Sequence, residues 1–309
     1  MIFTISFPAC LGNLLYYNVA LIKNVSYVTD LCHSAFLLRL ATDGLYRNRP
    51  GPGMGHRLVR MTRPGIHMEN LTAGYDRRPA IHHLNASIDP GSLIAVIGPN
   101  GGGKSTLLKT LMGLLVPMSG SYHLSSASSI AYLPQISEVD RSFPITVFDT
   151  VLMGAWPRSG FFRFVSGEIR KRAFLALEQV GMQAFAQQSI AALSIGQFQR
   201  VLFARLLLQD TKIYLLDEPL SAIDQRTCAD LLKIIGEWHR LGKIVLCVLH
   251  DMEQVRHHFP QTMLLARELI GFGETSEILC TAKLDQARRR AEEWHDHADE
   301  CAIEPMVFS

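Results

Sequence analysis

Residues 98–106 read GPNGGGKST. Gly98, four further residues, Gly103, Lys104 and Ser105 stand at the spacing of a phosphate-binding loop. The residue types account for the chemistry. Backbone built from Gly98, Pro99, Asn100, Gly101, Gly102 and Gly103 can wrap closely round a phosphate chain. Successive N–H groups and the start of a following helix offer positive partial charge to the β-phosphate. Lys104 adds a mobile point charge for the β and γ oxygens, and the Ser105 hydroxyl, followed by Thr106, is a hard oxygen donor of the kind Mg²⁺ takes. A second stretch, IYLLDEP (213–219), is four apolar residues ending in two carboxylates. Asp217 is placed to hold Mg²⁺ through a water, and Glu218 to polarise an attacking water.

Positioning these groups requires a particular scaffold. LIAVIG (93–98) and KIYLLDE (212–218) are continuous apolar runs, as are SIAYLPQ (129–135) and KIVLCVLH (243–250). Such runs mark strands buried on both faces. Helical periodicity follows from Lys104 to about Leu115 and again over 224–240, with IHMENLTAGY (66–75) and IHHLNASI (81–88) alternating ahead of them. This predicts an α/β fold with a parallel sheet, whose C-terminal strand edges carry the ligand. Residues 146–209 are mostly helical in pattern, broken around PRSGFF (157–162), and read as a separate helical subdomain inserted into the sheet.

Further short motifs occur in a fixed order around these two. Tyr75 closes the first strand, Gln135 ends YLPQ, LSIGQ occupies 193–197, SAID occupies 221–224, and His250 ends KIVLCVLH. Over about residues 66–280 the chain resembles the ATP-binding cassette (ABC) family. The resemblance implies a P-loop NTPase fold: a RecA-like parallel core, an antiparallel β subdomain, and an inserted α-helical signature subdomain at about 140–205. It implies ATP and Mg²⁺ as cofactors, Tyr75 stacked on adenine, and Ser105, Gln135 and Asp217 around the metal. Lys104, Glu218 and His250 are then the catalytic groups, with His250 on the γ-phosphate and Gln135 linking metal and water to the helical subdomain. Ser194, Gly196 and Gln197 are the implied contacts to the γ-phosphate of a second copy, because in this family two cassettes sandwich two ATP molecules. Ile195 departs from the usual glycine of that loop. A β-branched residue does not take a positive φ comfortably, so ordinary helical or extended geometry is expected there.

DRSFPITVFDTVLMG (140–154), with LSIGQFQRVLFARLLLQD (193–210), is similar to the ATPase subunits of zinc and manganese importers. Iron-siderophore and vitamin importers carry similar FP-x-TV segments, and both cargo classes stay open. The resemblance implies a separate integral membrane permease, indirectly a substrate-binding protein, and a peripheral place on the cytoplasmic face of the inner membrane. Residues 136–160 mix apolar and charged side chains and are the expected docking surface for the permease, with Val147, Val151 and Leu152 as local core.

Composition restricts the alternatives. The chain has 309 residues and a formal charge of +2, which argues against a nucleic-acid partner. Its six cysteines are widely spaced, with neither a disulfide framework nor a zinc-finger pattern. Residues 1–22 are uncharged but interrupted by Pro8, Gly12, Asn13 and Asn18. Residues 47–65 read as linker, so 1–65 is taken as an extension ahead of the domain, with translation starting at Met54, Met61 or Met68. Residues 281–309 read as a C-terminal helix and polar tail. WHDHADEC (294–301) gathers zinc-type ligands without ordered spacing and is read as fraying tail. His82–His83 and His257–His258 are read as surface residues.

Overall fold

The computed structural model describes residues 65–125, 130–156 and 165–296, so the segments 1–22 and 47–64, the whole 157–162 break and residues 297–301 of the tail lie outside the described residues. In chain order the strands are β1 (Ile66–Tyr75), β2 (Arg78–Ile88), β3 (Leu93–Ile97), β4 (Ser119–Leu124), β5 (Ile130–Leu133), β6 (Ile213–Leu216), β7 (Ile244–Val248), β8 (Gln261–Ala266) and β9 (Glu268–Glu274). The helices are α1 (Lys104–Leu111), α2 (Val147–Leu152), α3 (Gly167–Gln179), α4 (Ile195–Gln209), α5 (Gln225–Arg240), α6 (Met252–His258), α7 (Thr275–Ile278) and α8 (Thr281–Asp296). Two compact units result: Pro134–Gln209 forms one, and the flanking segments Arg63–Leu133 and Asp210 onward form the other.

In the larger unit, six strands among the described residues form a sheet of order β5-β6-β7-β3-β8-β9. β5, β6, β7, β3 and β8 run parallel, and β9 returns antiparallel beside β8. Every residue of β3, β6 and β7 is buried, which explains their unbroken apolar sequence. α5 shows how a helix covers such a sheet. Asp224 caps it by accepting the Thr227 N–H at 2.9 Å, and Cys228, Leu231, Leu232, Ile235 and Trp238 make one apolar stripe. Trp238 stacks on Tyr214 of β6 with ring centroids 4.0 Å apart. α1 stops at Leu111, short of the expected Leu115, because Gly113 takes φ +80° and turns the chain.

β2, β1 and β4 form a separate antiparallel sheet in the same unit. Asp76 and Arg77 both have positive φ (48° and 61°), giving the tight turn that joins β1 to β2. Bulges interrupt the pairing and break the simple alternation. At one of them His83 takes φ +46°, so Ile81 and His82 are buried in succession. The surface reading of His82 is therefore corrected: it is 3% exposed, its N–H donates to the Arg267 carbonyl at 2.7 Å, and burial lowers its pKa. β4, β8 and β9 were not foreseen from periodicity. β4 has no apolar alternation, β8 follows a helix directly, and β9 carries Gly271 and Gly273 with only half-buried side chains.

The smaller unit is helical. Thr146 caps α2 by accepting the Asp149 N–H and returning its own hydroxyl to Asp149 Oδ2 at 2.7 Å. Val147, Val151 and Leu152 are buried as expected, with Phe198, Val201, Leu202 and Phe203 of α4. Among the described residues no helix is long and apolar enough to cross a membrane.

One backbone contact gives a stability test. Gly120 has φ +74°, and a Cβ there would strike the Asn70 carbonyl at the β1 bulge. Gly120→Ala is expected to lower unfolding free energy by about 2–4 kcal/mol in urea denaturation; a change below about 0.5 kcal/mol would show that the bulge yields freely.

Candidate nucleotide site

The phosphate loop begins where β3 ends. Its curl requires glycine for closeness as much as for φ: a Cβ on Gly98 (φ +145°) would fall onto the Leu265 carbonyl oxygen, and one on Gly102 would meet the same atom at 2.9 Å. The β8–β9 turn thus lies directly behind the loop. Arg267, at φ +63°, donates its N–H to Gly102 O at 2.9 Å while its carbonyl accepts from His82. Neither Leu265 nor Arg267 carried a sequence signal, since a left-handed arginine looks like any other.

Lys104 is buried at the first turn of α1, with Nζ donating to the carbonyls of Gly98 and Pro99, both at 2.9 Å. Burial lowers its pKa, opposed by the nearby charges of Glu218 and Asp217. Ser105 Oγ donates to Asp217 Oδ1 at 3.1 Å. Asp217, 1% exposed just past β6, is tied to the neighbouring strand by its N–H to Leu133 O at 2.9 Å. A hydroxyl and a carboxylate this close are hard oxygen donors suited to a small divalent cation. Among the described residues there is no group of three or more His, Cys, Asp or Glu arranged to hold a metal by themselves.

Glu218 follows at φ +50°, a strained conformation for its type. Its two oxygens are shared: Oε1 lies 2.7 Å from His250 Nε2, and Oε2 accepts from Ser221 Oγ at 3.2 Å. Burial pushes its pKa up, but hydrogen bonds and charge from His250, the Ser221 hydroxyl and the Lys104 ammonium outweigh it, and the net result is a lowered value. Glu218 is therefore a carboxylate with a fixed direction. Ser221 was not foreseen in this role; it opens the SAID segment, where Ala222 also takes positive φ (57°). Tyr75, at the end of β1, leaves 47% of its surface open for stacking, and Thr106 is buried in α1.

Gln135, Ser194, Gly196 and Gln197 belong to the helical unit. Gln135 precedes a short turn whose Glu138 N–H it accepts at 2.9 Å. Ser194 and Gln197 form a reciprocal cap at the start of α4: Ser194 Oγ accepts the Gln197 N–H at 3.2 Å, and Gln197 Oε1 accepts the Ser194 N–H at 2.9 Å. The serine hydroxyl uses a lone pair in this cap and keeps its own proton to donate. Ile195 is the first residue of α4, outside the left-handed region and 42% exposed, as expected.

The sequence profile described as "ABC transporter" matches residues 81–221. The chain is 39% identical over 228 residues to the manganese transport system ATP-binding protein of Listeria innocua, covering 72% of this chain and 95% of that protein. It belongs to the ABC transporter family as an ATP-binding subunit. The zinc transport system ATP-binding protein of Treponema pallidum is 38% identical, over 70% of this chain and 83% of its own length. Among solved structures, an inward-facing ABC transporter provisionally assigned to the metal-chelate type aligns with TM-score 0.65 and 31% identity, over 73% of this chain and 89% of that one. A dimeric bacterial ABC transporter cassette aligns with TM-score 0.61 and 25% identity, over 68% and 98%. The ABC cassette fold, with its parallel core and antiparallel subdomain, is that of this chain, and its activity is that of an ABC transporter ATPase.

The electrostatics of this ABC ATPase make a direct prediction. Ionised Glu218 favours the folded chain above the ordinary carboxylate pKa of about 4.3, and that contribution is lost as pH falls through its lower folded value. A carboxyl NMR titration of Glu218 in nucleotide-free protein is expected to have its midpoint below 4.3; a midpoint at or above it would show that burial wins over His250, Ser221 and Lys104.

Proposed function

We propose that this chain is the ATPase subunit of an importer that moves a divalent metal ion, zinc or manganese, through a separate membrane permease. The observation that carries this reading is the similarity, at 38–39% identity over 70–72% of this chain, to proteins named for manganese and zinc transport. The likeness to a transporter of metal-chelate type supports a second reading, uptake of a chelated metal such as an iron-siderophore.

The working unit on this reading is a homodimer, because one chain supplies one phosphate loop and one signature loop. The ATPase domain spans about residues 66–280, with 1–65 ahead of it and 281–309 behind. Tyr75 stacks on adenine. The backbone of Gly98–Gly103 and the N-terminus of α1 receive the phosphates, and Lys104 exchanges its carbonyl partners for phosphate oxygens. Ser105 and Asp217 would hold Mg²⁺, which would supply charge neutralisation at the phosphate chain when bound. Ser194 donates its free hydroxyl proton to the γ-phosphate held by the second copy, beside Gly196 and Gln197. Glu218 orients a water and accepts its proton as the water oxygen bonds to the γ-phosphorus and the bond to the β–γ bridging oxygen breaks, leaving ADP and phosphate. His250 holds Glu218 in place and meets the γ-phosphate. The permease docks on the helical unit within 136–160, where Phe143 is 51% exposed, and this places the ATPase peripherally on the cytoplasmic face of the membrane with a substrate-binding protein beyond it. The near-neutral charge of +2 supports a role without nucleic acid.

Glu218→Gln is expected to keep ATP binding and lower kcat at least 100-fold. In cells grown on limiting metal, elemental analysis of that variant is expected to show a selective fall in zinc or manganese. A fall in iron instead favours the chelate reading, and unchanged metals with lost ATPase activity would overturn metal import.

A further inference from the structure

Within the helical unit, Arg141 occupies an unusual position. It belongs to the segment between Gln135 and α2, the part read above as the permease-docking surface, yet its guanidinium reaches the signature loop. One nitrogen, Nη2, donates to the Leu193 carbonyl and lies 3.5 Å from the Ile190 carbonyl. The guanidinium also sits over the Phe198 ring, 5.2 Å from its centroid, and Phe198 is a fully buried residue of α4. Arg141 thus grips the backbone of the first signature residue, Leu193, and the first apolar anchor after the signature, Phe198.

The chemistry of this grip is specific. Leu193 C=O and Ser194 N–H belong to the same peptide unit. Arg141 holds the oxygen end, and Gln197 Oε1 holds the N–H end at 2.9 Å. With both ends fixed, that peptide plane cannot rotate. The direction of Ser194, whose hydroxyl is engaged on one side by the Gln197 N–H, is then set. A hydrogen bond from a charged donor is about twice as strong as a neutral one, and the cation–π contact adds a second attraction for the same guanidinium. Exposed Ile195, which lacks the backbone freedom of glycine, does not loosen the arrangement.

We propose that Arg141 is a positioning residue for the signature loop, coupling the permease-docking segment to the γ-phosphate contact made by Ser194. The proposal rests on the reading of Ser194 as a contact to ATP held by a second copy. A shift of residues 136–146 on permease binding moves the guanidinium, and with it the Leu193–Ser194 peptide.

The test uses the full chain in a Glu218→Gln background, where bound ATP persists. ATP-dependent dimerisation is followed by light scattering, and fluorescent ATP-analogue binding is measured separately at low protein concentration. Arg141→Ala is expected to leave analogue affinity within about twofold and to raise the ATP concentration for half-dimerisation at least tenfold. Arg141→Lys, which keeps charge over the ring but donates as a point rather than a fork, recovers part of that loss and serves if the alanine variant does not fold. In the Glu218-containing protein, Arg141→Ala lowers kcat. Normal dimerisation with only a lowered melting temperature would reduce Arg141 to a structural residue and overturn the proposal. Ser194→Ala separates the two ideas. If it abolishes dimerisation while Arg141→Ala does not, the Arg141 proposal fails and the signature reading stands. If Ser194→Ala dimerises normally, the signature reading fails and takes the proposal with it.

Discussion

The site depends on three parallel strands ending in step. β6, β7 and β3 are adjacent, with Leu216 opposite Cys247 and Val96 opposite Val248, so the segments that leave them emerge at one edge of the sheet. Those segments are Asp217–Glu218, Leu249–His250 and the phosphate loop. Side chains more than a hundred residues apart are thereby brought within hydrogen-bonding distance, as Ser105 and Asp217 are. A slip of one residue in any of these strands would move its end by about 3.3 Å along the strand direction and pull these groups apart.

Within that frame, backbone rather than side chains does much of the shaping. The phosphate loop rests on the Leu265 carbonyl and is tied through Arg267 to β2, so its curvature is set from behind before any nucleotide arrives. The charges are arranged to compensate. A buried ammonium at Lys104 is offset by two carboxylates, and one of these, Glu218, is further held by His250 and Ser221. The left-handed backbone at Glu218 is the cost of aiming a long acidic side chain at a fixed point at a strand end. Such preorganisation suits phosphoryl transfer, where positioning and charge stabilisation carry most of the catalysis.

The helical unit solves a different problem. Its signature loop presents one hydroxyl and a helix start, and both are made rigid by a cap closed on itself and by contacts from the segment after Gln135. The unit also carries the exposed aromatic Phe143, in the segment proposed above for permease docking.

By itself the sequence determined what is local. Glycine spacing, the strand-ending carboxylates and unbroken apolar runs announce a phosphate loop on a buried parallel sheet, because each depends only on neighbours along the chain. The ordinary backbone geometry of Ile195 was legible for the same reason: the allowed φ of a β-branched residue needs no partner. The tertiary structure alone decided the rest. It buried His82 under the β8–β9 turn, added β4, β8 and β9 where periodicity was weak, turned Glu218 toward His250, and joined Arg141 to Leu193. Each of these depends on long-range pairing and on the direction of single bonds, and neither leaves a periodic trace in the sequence.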